Sequence, residues 1–238
     1  MNMFTENVKP RGRGRPPGET SRGAAARERL YGIAIQLIAE RGYDQTTLRD
    51  IAKEAGVSVG LLYRYFPGKQ AVVIALYDQL SSEYARQAAR MPAGRWRERF
   101  VFAMKTSLRV LEPHQVALRA LTPILVGDPE EGIFSANTAF SRLRVQRVFE
   151  AAVTGASDAP KPPLSEALGR LLYLVHLAVL LWWLLDKSAQ QRATAALVRL
   201  TQQLLPSASL ALRAPPVRRF VISVDGLVRD AWFGQAAA

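Results

Sequence analysis

The chain has 238 residues, 49% hydrophobic and 22% charged, the composition of an ordinary globular protein of one or two domains. It has no cysteine and two histidines, which excludes disulfides, thiolate metal sites and cysteine nucleophiles and leaves little material for an imidazole-based centre. A net charge of +12 points to an anionic partner, nucleic acid first and an acidic membrane surface second.

Residues 1–20 are rich in Gly, Pro and Arg and are predicted to form a disordered basic arm. No apolar core of a signal peptide opens the chain, so a cytoplasmic location is expected. Within the arm, Lys9-Pro10-Arg11-Gly12-Arg13-Gly14-Arg15-Pro16 resembles an AT-hook, with Arg13 and Arg15 drawn into the narrow minor groove of A/T-rich DNA. The alternative is a solvated basic tail attracted to phosphates without sequence preference. From about Ser21, Leu30, Ile33, Ala34, Leu37 and Ile38 recur at helical spacing until Gly42 closes a helix.

Two short helices follow, broken at Gly56-Val57-Ser58. On the first, Leu48, Ile51, Ala52 and Ala55 form one apolar face, Thr47 stands at the N-cap, and Asp50 places a carboxylate in the first turn. Gly56 supplies a left-handed stop, and Ser58 caps a second helix whose Val59, Leu62 and Phe66 turn back onto the first. A three-residue turn between helices this short is a helix-turn-helix signature, in which the first helix braces the second against a DNA major groove. The second helix then shows Ser58, Gly60, Leu61, Tyr63, Arg64 and Tyr65 to the outside: arginine for guanine, leucine for a thymine methyl, tyrosine hydroxyls for phosphate.

The pattern from Ile51 through Lys69, I-A-x-x-A-G-V-S-x-G-x-L-Y-x-Y-F-x-x-K, resembles the TetR/AcrR family of bacterial transcriptional regulators over roughly Ser21 to Leu80. The resemblance implies an all-α fold: a DNA-binding domain over 21–80 and a helical effector-binding and dimerisation domain over 81–238. It also implies that Thr47, Arg49 and Lys69 join the recognition-helix positions in touching DNA, and that two copies bind a palindromic operator as a homodimer.

Beyond the motif, a helix from Lys69 to about Arg90 belongs to both domains and is the natural lever between them. Further helices are predicted near 95–110, 113–126, 135–154, 164–186 and 189–205, with Pro123 kinking or splitting the second and one more helix after Pro206. The run Leu171–Leu185 is apolar except for His176, but is shorter than the ~18–20 residues a bilayer requires, so no membrane partner is expected. A helix apolar on all sides is buried by its own domain and by a partner. Leu177, Leu181 and Trp182, with Ala193, Leu197 and Leu200 on the next helix, are therefore candidates for a four-helix dimer interface.

The resemblance also implies a small-molecule effector in the body. Candidate pocket residues are Phe100, Met104, His114, Phe134, Phe140, Tyr173 and His176; any one of them is equally at home in a plain core. No nucleophile with a base, carboxylate pair, metal cluster or phosphate-cradling Gly loop is visible, so neither enzyme activity nor a cofactor is expected. The rival to a ligand-responsive repressor is an architectural DNA-binding protein that relies on the basic arm.

Overall fold

The computed structural model describes residues 21–233; the arm 1–20, with Arg13 and Arg15, lies outside the described residues. The chain runs α1 (Ser21–Arg41), α2 (Leu48–Glu54), α3 (Val59–Tyr65), α4 (Lys69–Ala88), α5 (Trp96–Leu111), α6 (Gln115–Ala120), α7 (Thr122–Gly127), α8 (Ala139–Thr154), α9 (Leu164–Leu185), α10 (Arg192–Ala211) and α11 (Pro215–Phe233). No strand occurs among the described residues, in agreement with an all-α class.

The first four helices form where the sequence places them, because their ends are written locally. Gly42 stops α1 with a φ of 87° and Gly56 stops α2 with a φ of 65°, both in the left-handed region that a side chain disfavours. Thr47 and Asp50 form a reciprocal capping box at the start of α2, and the Ser58 hydroxyl accepts the Leu61 N–H at 3.2 Å at the start of α3. Ile51, Leu62, Phe66, Leu76 and Ile38 meet in one core. That core also takes in Leu118, Leu121, Trp183 and Leu184, so the first domain is seated directly on α6 and the end of α9.

The helix predicted over 113–126 is split at Pro123, as the sequence reading allows, into α6 and α7 after a 3-10 turn at Glu112–His114, with Pro123 in the first turn of α7 where its missing N–H costs nothing. The body departs from the sequence reading in two other places. The helix expected from 135 begins at Ala139, because residues 128–138 satisfy their own hydrogen bonds as a loop. There the Asp128 carboxylate accepts the N–H groups of Glu130 and Glu131 at 2.8 and 2.7 Å, and the Thr138 hydroxyl donates to the Gly132 carbonyl at 2.7 Å. Finally, α10 continues through Pro206 to Ala211. Pro206 lies on its exposed side, where water can replace the absent N–H.

Helix α9 is the axis of the body, packed by α5, α6, α8, α10 and α11. By length and apolarity it matches a membrane span; within this fold it is a core helix with one free flank. It approaches α8 closely at Gly169, where an added Cβ would stand 2.7 Å from the Glu150 Cα. The tail helix α11 is fastened to α9 by a fork-to-fork pair: Arg170 Nε and Nη2 donate to the two oxygens of the buried Asp225, each at 2.7 Å.

Candidate functional site

The two-helix motif carries its polar groups on one open surface. Leu62 and Phe66 are buried and Val59 is half-buried; Ser58, Gly60, Tyr63 and Arg64 are exposed, with Leu61 and Tyr65 half-buried at the margins. Thr47 and Arg49 of the bracing helix are exposed beside them. A Cβ built on Gly60 would meet nothing within 4 Å, so packing inside the protein does not demand glycine there. The open backbone instead suits close approach by a second molecule.

Lys69 opens α4 but is held inward. Its ammonium donates to the Tyr43 carbonyl at 2.7 Å and sits 4.3 Å from the centre of the Tyr43 ring. The Tyr43 hydroxyl in turn donates to both oxygens of Glu131, at 2.7 and 2.8 Å. Burial pushes the Glu131 carboxyl above its ordinary range, opposed by the Tyr43 bond, and burial with the Glu131 contact raises the Tyr43 phenol. This chain of contacts ties the turn before α2 to the 128–138 loop of the body.

That loop walls a cavity of about 100 Å³ between α4, α5, α8 and α9. Tyr77, Tyr84, Tyr173, His176 and Arg142 stand among apolar neighbours, and no aspartate, glutamate or lysine lines it. The His176 Nε2 and the Ser107 hydroxyl are 2.8 Å apart, while the Nδ1 and the hydroxyls of Tyr77, Tyr84 and Tyr173 are buried without a hydrogen-bond partner. Burial pushes His176 down to about 3, so it is a neutral imidazole with one donor and one acceptor nitrogen at ordinary pH. A second, apolar groove of about 270 Å³ opens outward past Phe134 and Trp232. Leu125, Ile133, Leu177, Leu180 and Leu184 wall both spaces.

The seven candidate pocket residues therefore separate. Tyr173 and His176 meet at the cavity, and Phe134 lies on the adjoining groove, its ring 5.2 Å from that of Trp232. Phe100 and Met104 are packed in the core around Phe149, because the inner side of α5 faces α8. His114 lines a separate polar groove with Arg27 and Tyr31, and Phe140 lies on the outer surface of α8. Of the candidate interface residues, Leu181, Trp182 and Leu200 are exposed, Ala193 and Leu197 are half-buried, and Leu177 turns to the cavity wall. Ser107, Tyr84 and Arg142 were not singled out from the sequence: each is an ordinary helical position until α9 packs beside it.

Residues 32–76 match the family model described as bacterial regulatory proteins, tetR family. These residues form a tetR-family domain. The chain is 45% identical over 58 residues to the HTH-type transcriptional repressor KstR2 of Rhodococcus jostii (strain RHA1). It is 39% identical over 55 residues to the fatty acid metabolism regulator protein of Bacillus subtilis (strain 168). These matches cover 24% and 23% of this chain and 28% of each relative. The fold extends the likeness: the structure of FadR from Bacillus subtilis in complex with stearoyl-CoA aligns with a TM-score of 0.61 at 18% identity, covering 75% of this chain and 96% of that one. The tetR-family domain thus sits on a body of the same architecture.

Proposed function

We propose that this protein is a transcriptional regulator that binds a palindromic DNA operator as a homodimer and is released or engaged by a small molecule in its body. The observation that carries the reading is the capped helix pair of the tetR-family domain, with Gly60, Tyr63, Arg64 and Arg49 open above buried Leu62 and Phe66. The relatives named as a repressor and as a fatty acid metabolism regulator support repression as its sense, and the neighbour bound to stearoyl-CoA supports a body that holds an apolar ligand. Exposed Leu181, Trp182, Leu200 and Leu204, with Phe220 and Leu227 of α11, form the kind of apolar surface that a second copy covers. A soluble, cytoplasmic protein without catalytic activity fits this reading.

An effector can act only by binding one arrangement of the two heads better than the other. The Lys69–Tyr43–Glu131 contacts run from the motif to the loop that walls the cavity, which makes that loop a short route for the difference. The reading is tested by a gel shift of the purified chain on DNA flanking its own gene, with excess competitor DNA and a salt series. A discrete complex that survives competitor and leaves a twofold-symmetric footprint is expected. Binding abolished by competitor, with a steep salt slope and no footprint on DNA selected from random sequence, would favour an architectural protein instead.

A further inference from the structure

We infer that the body cavity takes an apolar carboxylic acid, its carboxylate held at the Tyr173–Arg142 end and its hydrocarbon tail passing into the groove beside Phe134 and Trp232. The inference rests on the regulatory reading above and names the ligand class of that same site.

The polar groups of the cavity set the chemistry of the head. Tyr84 and Tyr173 are 2% and 1% exposed, yet their hydroxyls have no partner, and neither does the Nδ1 of the 2%-exposed His176. A buried donor left unmade is costly, and the Tyr77, Tyr84 and Tyr173 hydroxyls, joined by the His176 Nδ1 when Ser107 donates to Nε2, ask for an acceptor-rich group to serve them. The charge of the lining selects among acceptors. Arg142 is its one charged side chain; its Nη1 already donates to the carbonyls of Ile133 and Ser135, each at 3.2 Å, which fixes the guanidinium on the wall. Its charge reaches the Tyr173 phenol, partly offsetting the rise that burial imposes. The Tyr77 phenol is raised by burial and then by Glu131 and Asp128, whose charges disfavour an anion beside it. A carboxylate therefore belongs at the Tyr173–Arg142 end, where a cation and unpaired donors coincide.

The apolar remainder sets the chemistry of the tail. Beyond the head the wall is mostly leucine with Ile133 and Val145, and the hydroxyls of Ser81, Ser107, Thr138 and Ser141 are already hydrogen-bonded within the chain. The five side chains shared with the outer groove are the partition between a small chamber and a larger one. The chamber of about 100 Å³ is too small for a drug-sized molecule by itself, so a ligand of useful affinity must move one of these flexible side chains and extend into the groove.

The test uses the full chain, stripped of bound lipid, titrated by calorimetry with decanoate, methyl decanoate and decanoyl-CoA. Decanoate is expected to bind at least tenfold more tightly than the ester, and Arg142→Gln is expected to abolish that preference while leaving the ester's affinity unchanged. Tyr173→Phe is expected to weaken decanoate several-fold, with thermal unfolding of both variants reporting that the fold is kept. Equal binding of acid and ester, preference for decanoyl-CoA over the acid, or no binding of any of the three would overturn the inference. DNA binding is read separately in the gel shift: a specific complex that persists when decanoate does not bind leaves the regulatory reading standing. Decanoate that binds without changing DNA affinity would sustain the ligand class while contradicting the regulation.

Discussion

In the head, α1–α3 bury aliphatic and aromatic side chains and leave Arg49, Tyr63 and Arg64 in solvent; in the body, α4 and α9 turn Tyr84, Tyr173 and His176 inward, while α9, α10 and α11 leave Trp182, Leu200, Phe220 and Leu227 outside. The head hides what is apolar and shows what can bond phosphate and base edges. The body hides polar groups that have no partner within the chain and shows apolar surface. Each inversion matches one part of the proposed function: nucleic acid on the head, a small ligand inside the body, a second chain on its flank. What separates the regions is the range of the contacts that make them. The helix ends of the motif are set within a turn of sequence, whereas Ser107–His176, Arg170–Asp225 and Tyr43–Glu131 join positions 69, 55 and 88 residues apart.

The largest expected effect breaks the body and spares the head's surface. Asp225→Ala leaves the Arg170 guanidinium without its buried partner and should lower unfolding stability by about 3 kcal/mol in urea titration. An unchanged midpoint would mean that α11 is an appendage. The reverse experiment comes next: Arg64→Ala and Arg49→Ala should each cost about 1–3 kcal/mol of DNA affinity, and relax base preference, while stability moves by less than about 0.5 kcal/mol.

Acid separates the regions too. His176 has its folded pKa pushed down to about 3, against about 6.5 unfolded. Protonation therefore favours the unfolded chain, and stability present above the unfolded value is lost as pH falls below it. Between pH 7.5 and 5.5 the wild type should lose about 1.4 kcal/mol more than His176→Phe; equal slopes would remove the histidine from the account. Tyr43→Phe, which cuts the bonds to Glu131, should cost about 1 kcal/mol of stability and reduce any effect of ligand on DNA affinity. A ligand effect of wild-type size in that variant would take the Tyr43–Glu131 contact out of the route between the sites. The smallest effect is Gly60→Ala, which should raise stability by up to about 1 kcal/mol, since alanine is the better helix former and nothing stands within 4 Å of its Cβ, while weakening DNA binding. Unchanged DNA affinity would mean that no backbone approaches there.

The head was legible because its signals are local. Thr47 with Asp50, Gly56 and Ser58 each specify a helix end within four residues, and the alternation of Leu62 and Phe66 with Tyr63 and Arg64 fixes inside and outside. In the body, periodicity gave helices but not partners. His176 reads as one polar residue in an apolar run, and only the packing of α5 beside α9 makes it a half-bonded cavity group. Phe100 and Phe140 have equal claims to a pocket in the sequence, yet one faces Phe149 and the other faces out. Pro206 marks a helix end by its lack of an N–H, and an exposed position overrides that rule. The 128–138 loop holds itself by short-range bonds such as Thr138 to Gly132, which helical periodicity does not signal, and its tie to the head, Tyr43 to Glu131, spans 88 residues.

The most direct measurement is selection of binding sites from random duplex DNA by the full chain, run in parallel with Arg64→Ala. The wild type is expected to enrich an inverted repeat protected symmetrically in a footprint, and the variant to lose or blur the base preference at the half-site positions that Arg64 reads. Enrichment of no sequence by the wild type, or of the same repeat with the same preferences by both proteins, would contradict the placement of the DNA-reading surface on α3.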